Sequence, residues 1–356
     1  MTKRIPVAVL GATGSVGQRF VQLLAAHPWF ELAAVTGSER TVGRPYGEAC
    51  HWVLGEPMPE AAQRLPVVES DPQKLIFPLV FSALPSGYAR QLEPRFAQMG
   101  SVVCSNASAF RTEADVPILL PEVNPEHADL VRTQRQRRGW GGAIVTNPNC
   151  TSTGFTMTLA ALQAAFGVRR ALAVSMQAIS GAGYPGVASL DILDNVIPNI
   201  EGEEEKVEWE PRKMLGRLDG EQISLADIPI SAHTNRVAVS DGHMVCASLE
   251  FQQPVSPEEV QEALAAYQAP EISRDLPSAP RPAILVRSEP DRPQPRLDRW
   301  TGNGMTTVVG RIRRDPLMHV KLVVLSHNTV RGAAGGSIYN AELLVRMGFV
   351  PGAGEG

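Results

Sequence analysis

The stretch IPVAVLGATGSVGQRFVQLLAAHP, residues 5–28, decides the fold. IPVAVL (5–10) is a short β-branched run of the kind that lies buried in a parallel sheet. QRFVQLLAAHP then places Phe20, Leu23, Leu24 and His27 at helical spacing, and Pro28 stops the pattern. Between them stand Gly11, Gly14 and Gly17. Glycines at a strand-to-helix turn allow a tight bend, close approach of backbone N–H groups to a pyrophosphate, and close helix–strand packing. The spacing is G-x-x-G-x-x-G rather than G-x-G-x-x-G, and a bare triplet would be only a turn. Its place between a strand and a helix makes a dinucleotide site the expectation.

Working outward, ELAAVTGS (31–38), LVFSAL (79–84) and SVVCSN (101–106) read as further short strands, with the helical YARQLEPRFAQMG between the last two. Strands alternating with helices predict a doubly wound parallel sheet of Rossmann type over residues 1–147. The texture then changes. ALAVSMQAIS (171–180), MVCASLEF (244–251) and TTVVGRIRR (306–314) alternate with polar residues and suit a mixed or antiparallel sheet with one wet face. SPEEVQEALAAYQ (256–268) opens with a capping-box signature. Residues 269–296 are rich in proline and read as a long extended loop. HNTVRGAAGGSIYNAELLVRMG (327–348) reads as a helix returning to the first domain. The expected division is 1–147 completed by a C-terminal helix 330–356, with a second α/β domain over 148–329.

A chain of 356 residues and 38.4 kDa suits two domains, each with its own core. Its formal charge of −4 supplies no field for a nucleic-acid backbone. The four arginines in VRTQRQRRG (131–139) read as a helix end, where cations favour the dipole. The opening MTKRIPVAVLGATG breaks its apolar run at glycine, and no run of 18 apolar residues follows. Neither a secretory leader nor a membrane span is expected. Four cysteines make no disulfide framework, so a reducing, cytoplasmic setting is expected.

Ser38, Glu39 and Arg40 follow the second strand. An acidic residue there would bind a ribose 2′-hydroxyl, whereas arginine would take a 2′-phosphate. Ser38 with Arg40 favours NADP(H), with Glu39 left as the ribose alternative. Among the cysteines, Cys104 and Cys246 lie in apolar strands and read as small buried hydrophobes. Cys50, His51, His233 and His327 have no metal-ligand spacing, and no metal is expected. Cys150, in TNPNCTSTGFTMTLAAL, follows a Pro148-Asn149 turn at the start of a helix near Thr151. The helix dipole and free amides there would lower a thiol's pKa and could hold an oxyanion. The residues alone leave a nucleophile and a structural turn residue both open.

GATGSVG, NPNCTS, QAISGAGYPG, GEEEK, NRVAVSDGH and HNTVRGAAGG, in this order, resemble the aspartate-β-semialdehyde dehydrogenase family, in the branch common in archaea and fungi. The PSAPRP segment fits as well. The resemblance spans nearly the whole chain. It implies reductive dephosphorylation of β-aspartyl phosphate by NADPH, in the biosynthesis of lysine, threonine, methionine and isoleucine. By it, Cys150 is the nucleophile, His243 the general acid/base with a pKa suited to neutrality, and Gln177 the residue that positions the acyl group. Arg236 would clamp the α-carboxylate. Glu203 would meet the ammonium (Glu204 and Glu205 remaining candidates), and Lys206, Arg111, Asn106 and Asn149 would complete the substrate site. The cofactor set would be Gly11, Thr13, Gly14, Ser15, Val16, Gly17, Ser38, Arg40, Ser82, Leu84, Ser180, Gly181 and Asn328. Residues 148–329 would be the catalytic and dimerisation domain of a homodimer or homotetramer. Two other readings use the same residues less fully. One is a reductase for another acyl phosphate or a malonyl thioester, and the other is a non-catalytic NADP-binding sensor.

Overall fold

The structure, a computed structural model, describes residues 4–350, so positions 1–3 and 351–356 of the expected first domain lie outside the described residues. The first sheet holds β1 (Ile5–Leu10), β2 (Phe30–Thr36), β3 (Val67–Val68), β4 (Leu79–Ser82), β5 (Val102–Ser105) and β6 (Ala143–Thr146). Its order is β3-β2-β1-β4-β5-β6, and every pairing is parallel. Strand order reverses between β1 and β4, and ligands of such sheets bind in the crevice at that reversal. The glycine turn leaves β1 at this point. Seven helices of nine residues or more are described: α1 (Ser15–Leu24), α2 (Ser86–Gln98), α3 (Leu130–Arg138), α4 (Cys150–Phe166), α5 (Glu203–Met214), α6 (Pro257–Ala266) and α7 (Gly335–Arg346).

The second sheet is mixed. Apart from a small hairpin, β8 (Arg217–Asp219) with β9 (Gln222–Ser224), its strands are β7 (Val168–Gln177), β10 (Ile230–Arg236), β11 (His243–Phe251), β12 (Ile284–Val286), β13 (Thr307–Arg314) and β14 (Val320–Ser326). They run in the order β10-β7-β11-β14-β13-β12, parallel at both outer pairs and antiparallel between. Helices α4, α5 and α6 cover one face. From Thr151 to Leu162 every residue of α4 is buried, as an all-round apolar helix must be. The chain's last described helix sits in the other core. Ile338, Tyr339, Leu343 and Leu344 of α7 pack with Val7, Phe20 and Phe81 of the first sheet's layer.

Three sequence expectations change. Residues 269–296 are not wholly loop. They contain one-turn helices at Glu271–Arg274 and Pro295–Asp298 and the strand β12. Among the described residues β12 pairs only with β13, at the sheet edge, where flanking prolines are tolerated. The tail is not one helix from 327: a π-turn, Val330–Ala334, precedes α7. Cys246 is exposed rather than buried. Along β11, His243, Val245, Ala247, Leu249 and Phe251 point to the helices, so the even positions face the open side.

Candidate active site

Gly11 holds φ of +71°, and a Cβ there would lie 3.0 Å from the Ala83 carbonyl oxygen. Gly17 is tighter still. Its Cβ would stand 2.2 Å from Gly11 O and 2.6 Å from Ala12 Cα, so a side chain would force α1 off the turn. Gly11 N–H donates to Thr36 Oγ1 at 3.1 Å, tying the turn to β2. Gln18 Nε2 donates to Thr13 O and His51 O, and its Oε1 accepts from Val53 N–H, which lays the 50–53 loop across the turn. A cleft of about 320 Å³ opens here between the two sheets, with Ser15, Arg19 and Val53 on one side and Ser180, Tyr184 and Asp241 on the other. A backbone cradle that admits no side chain is what close approach by a pyrophosphate needs, so these residues fit a dinucleotide. Ser82 ends β4 beside Leu10, and Leu84 Cδ2 lies 3.5 Å from where a Cβ on Gly11 would stand. Ser38, Glu39 and Arg40 are exposed beyond β2. Asn328 bridges the far wall: its Oδ1 accepts from Gly242 N–H and its Nδ2 donates to Ser180 Oγ, each at 2.8 Å.

Asn149 caps α4. Its Oδ1 accepts from Thr151 N–H at 2.9 Å and Ser152 N–H at 3.2 Å, which leaves Cys150 as the first helical residue. The Asn149 Nδ2 donates to both oxygens of Glu203, which also accept from Lys206 Nζ at 2.7 Å and Gln177 Nε2 at 3.3 Å. Burial raises the Glu203 carboxyl, but Lys206, Asn149 and Gln177 outweigh it and hold it below its ordinary range. Glu203 is the inward member of the GEEEK run. Glu204 instead accepts from Thr234 N–H on β10, and Glu205 is exposed. Arg111 donates through Nε to Asn147 O, through Nη2 to Asn106 O and through Nη1 to Glu210 Oε1. Arg236 Nη1 donates to Ala178 O at 2.8 Å. A Cβ on Gly181 would meet Arg236 Nη1 at 2.7 Å and His243 Nε2 at 3.0 Å, so those two groups converge there.

Two electrostatic expectations are corrected. Burial, then the Glu203 charge, push the Cys150 thiol up to about 12, against Arg111 and Arg236, which pull it down. The helix dipole does not win, because desolvation and the neighbouring Glu203 charge outweigh it. His243 moves the other way. Burial, then the Arg236 charge, lower it to about 3. Its Nδ1 accepts from Ala178 N–H at 3.0 Å, which places the proton of the neutral ring on Nε2. That Nε2 is buried and meets no partner among the described residues. With the proton so placed, His243 presents Nε2–H as a hydrogen-bond donor toward the point where it converges with Arg236.

Residues 6–131 match the family model for the semialdehyde dehydrogenase NAD-binding domain, and residues 159–331 match that for the semialdehyde dehydrogenase dimerisation domain. The aspartate-semialdehyde dehydrogenase of Archaeoglobus fulgidus is 54% identical over 343 residues, covering 96% of this chain and 98% of that protein. The chain belongs to the aspartate-semialdehyde dehydrogenase family. The enzyme of that name from Schizosaccharomyces pombe is 46% identical over 97% of this chain and 99% of its own. A crystal structure of the Candida albicans aspartate-semialdehyde dehydrogenase with NADP superposes with a TM-score of 0.89 at 41% identity, covering 98% of this chain and 100% of that one. The Vibrio cholerae aspartate-semialdehyde dehydrogenase II complexed with ASA reaches 0.77 at 25% identity, covering 97% and 99%.

Within this family member, the structure gathers Cys150, Asn149, Gln177, Glu203, Lys206, Arg111, Asn106, Arg236 and His243 into one cluster at the inner end of the cleft, with Asn106, Cys150 and Lys206 half-buried and the others buried. Ser38 and Arg40 stand apart from it. Sequence reasoning passed over Glu210 and Gly332. Glu210 was legible at i+7 from Glu203 on one helical face, but Pro211 obscured the helix. Gly332 carries no spacing signal. Only the fold shows that its missing Cβ makes room for Cys150, whose Cβ lies 2.8 Å from that point.

Proposed function

We propose that this chain catalyses the NADPH-dependent reduction of β-aspartyl phosphate to aspartate semialdehyde, releasing inorganic phosphate, through a thioester on Cys150. The observation that carries the reading is the convergence on one thiol of charged and polar groups from five separate places: α5, β7, β10, β11 and the turn after β5. Each suits one part of a small dicarboxylic amino-acid derivative. The Cys150 thiol gives up its proton to solvent, and the resulting thiolate attacks the β-carbonyl carbon. A C–S bond forms, the C–O bond to phosphate breaks, and the acyl group stays on Cys150.

Arg111 and Lys206 face the phosphoryl oxygens and counter the charge that builds as they leave. The Arg236 fork takes the α-carboxylate and Glu203 takes the ammonium. Gln177 and Asn149, held beside Glu203, orient the acyl carbon. The His243 Nε2–H donates to the oxygen that turns negative in the tetrahedral species, in a pocket dry enough to make that bond count. NADPH, when bound, supplies the hydride that reduces the thioester. Collapse of the thiohemiacetal then frees the aldehyde and restores the thiol, with one proton consumed overall.

The residues proposed to hold the cofactor are Gly11, Thr13, Gly14, Ser15, Val16 and Gly17 at the turn, with Ser82 and Leu84 beside it. Ser38 and Arg40 would take the 2′-phosphate, and Ser180, Gly181 and Asn328 the nicotinamide end. The product would feed synthesis of lysine, threonine, methionine and isoleucine, in the cytoplasm. Two copies, or two pairs, would associate through the open face of the second sheet, where Leu172 and Cys246 are exposed.

The test is phosphate-dependent NADP reduction with aspartate, succinate and malonate semialdehydes compared side by side. Aspartate semialdehyde should be turned over fastest, and the rate should collapse without phosphate. A preference for an amine-free aldehyde, or indifference to phosphate, would overturn the proposal.

A further inference from the structure

Glu210 lies two helical turns beyond Glu203 on α5 and is 1% exposed. Its two oxygens serve two different elements. Oε1 accepts from Arg111 Nη1 at 2.8 Å, and Oε2 accepts from the backbone N–H of Asn149 at 2.6 Å. Asn149 is the residue that presents Cys150. A guanidinium has five N–H bonds. Three of those on Arg111 are committed, to Asn147 O, Asn106 O and Glu210, which leaves one on each terminal nitrogen. One turn further along α5, Lys213 Nζ donates to Arg111 O, Glu113 O and Val116 O at 2.7, 2.8 and 2.8 Å. So α5 grips the Arg111 backbone through Lys213 and its side chain through Glu210, and grips the nucleophile's turn through the same carboxylate.

We propose that Glu210 is a positioning residue, one buried carboxylate that fixes the anion-reading N–H groups of Arg111 relative to the Cys150 turn. The inference rests on the proposed acyl-phosphate reading, in which Arg111 meets the phosphate. Gln at this position offers one acceptor and adds a donor, so it can satisfy Asn149 N–H or Arg111 but not both. Asp keeps the charge and is one methylene too short to span them.

The experiment follows alkylation of the Cys150-bearing peptide by iodoacetamide at rising concentrations of inorganic phosphate, in full-length wild type, Glu210→Gln, Glu210→Asp, Arg111→Leu and the Glu210→Gln/Arg111→Leu double variant. Phosphate should protect the wild-type thiol saturably. Glu210→Gln should raise the half-protecting concentration about tenfold or more, the scale of losing a hydrogen bond to a charged group, and Glu210→Asp should fall between. The double variant should be no worse than Arg111→Leu alone, because Glu210 acts through Arg111. NADP affinity, read in the same samples, should stay within about twofold of wild type, which a general structural defect would not allow. Protection unchanged in both Glu210 variants, or effects that simply multiply in the double variant, would overturn this assignment alone. An unprotected wild type would overturn it together with the acyl-phosphate reading.

Discussion

The inner and outer ends of the cleft are built on opposite terms. At the inner end, Glu203, Glu210, Asn149, Gln177 and Arg111 are buried and hold one another through hydrogen bonds of 2.6 to 3.3 Å. At the outer end, Ser38, Glu39 and Arg40 are exposed, and among the described residues the one side-chain bond there is Thr41 Oγ1 donating to Ser38 O. The difference is one of dielectric and order. Buried charges that lose a partner leave an expensive unpaired group, whereas an exposed charge is screened and can move. Inner substitutions should therefore act on turnover and outer ones on cofactor choice.

The largest effect belongs to Cys150→Ser. Turnover should fall by several powers of ten while NADPH affinity stays near wild type; retained activity would move the chemistry elsewhere. Next come the two ends of the substrate. Arg236→Leu should lower kcat/KM roughly 10- to 150-fold for every substrate bearing the carboxylate. Glu203→Gln should reduce the preference for aspartate over succinate semialdehyde, and an unchanged ratio of kcat/KM would show that the ammonium is read by another group. At the outer end, Arg40→Ala should raise KM for NADPH about tenfold and leave KM for NADH nearly unchanged. A wild type that prefers NADH would assign the ribose to Glu39.

The pH dependence supplies a further expectation. Because burial and the Arg236 charge lower His243 to about 3, it should stay neutral from pH 8 down to pH 5. The free-enzyme profile of kcat/KM should then show no break near 6.5. It should instead climb with pH between about 6 and 9, since a thiol near 12 gains thiolate about tenfold per unit. A plateau that begins at the ordinary imidazole value would mean that Cys150 and His243 titrate as a coupled pair.

Local signals in the sequence carried far where local physics decides. The glycine turn sits between β1 and α1 as its strand-and-helix pattern required. The capping box at Ser256 is complete: Glu259 N–H donates to Ser256 Oγ, and Ser256 N–H donates to Glu259 Oε2. Strands whose neighbours supply their burial were harder to read. β14 and β10 escaped notice, and β12 hid between prolines that an edge strand tolerates. β11 was legible as a strand but its side-chain direction was not, so Cys246 reads as buried although it sits on the open face. The nine inner residues were legible only as an ordered set of motifs. Their charge states were not, because desolvation depends on what the fold packs around a group. Gly332 over Cys150 and Ala178 N–H on His243 are contacts between positions 182 and 65 apart in the chain.

The central claim is that the acyl group passes through Cys150. Enzyme, NADP and aspartate semialdehyde should be mixed without phosphate, quenched in acid, and mapped by peptide mass spectrometry. The account predicts an aspartyl thioester on the peptide carrying Cys150, formed with a stoichiometric burst of NADPH and discharged when phosphate is added before the quench. NADPH formation with no adduct, or an adduct on Cys50, Cys104 or Cys246 instead, would contradict it.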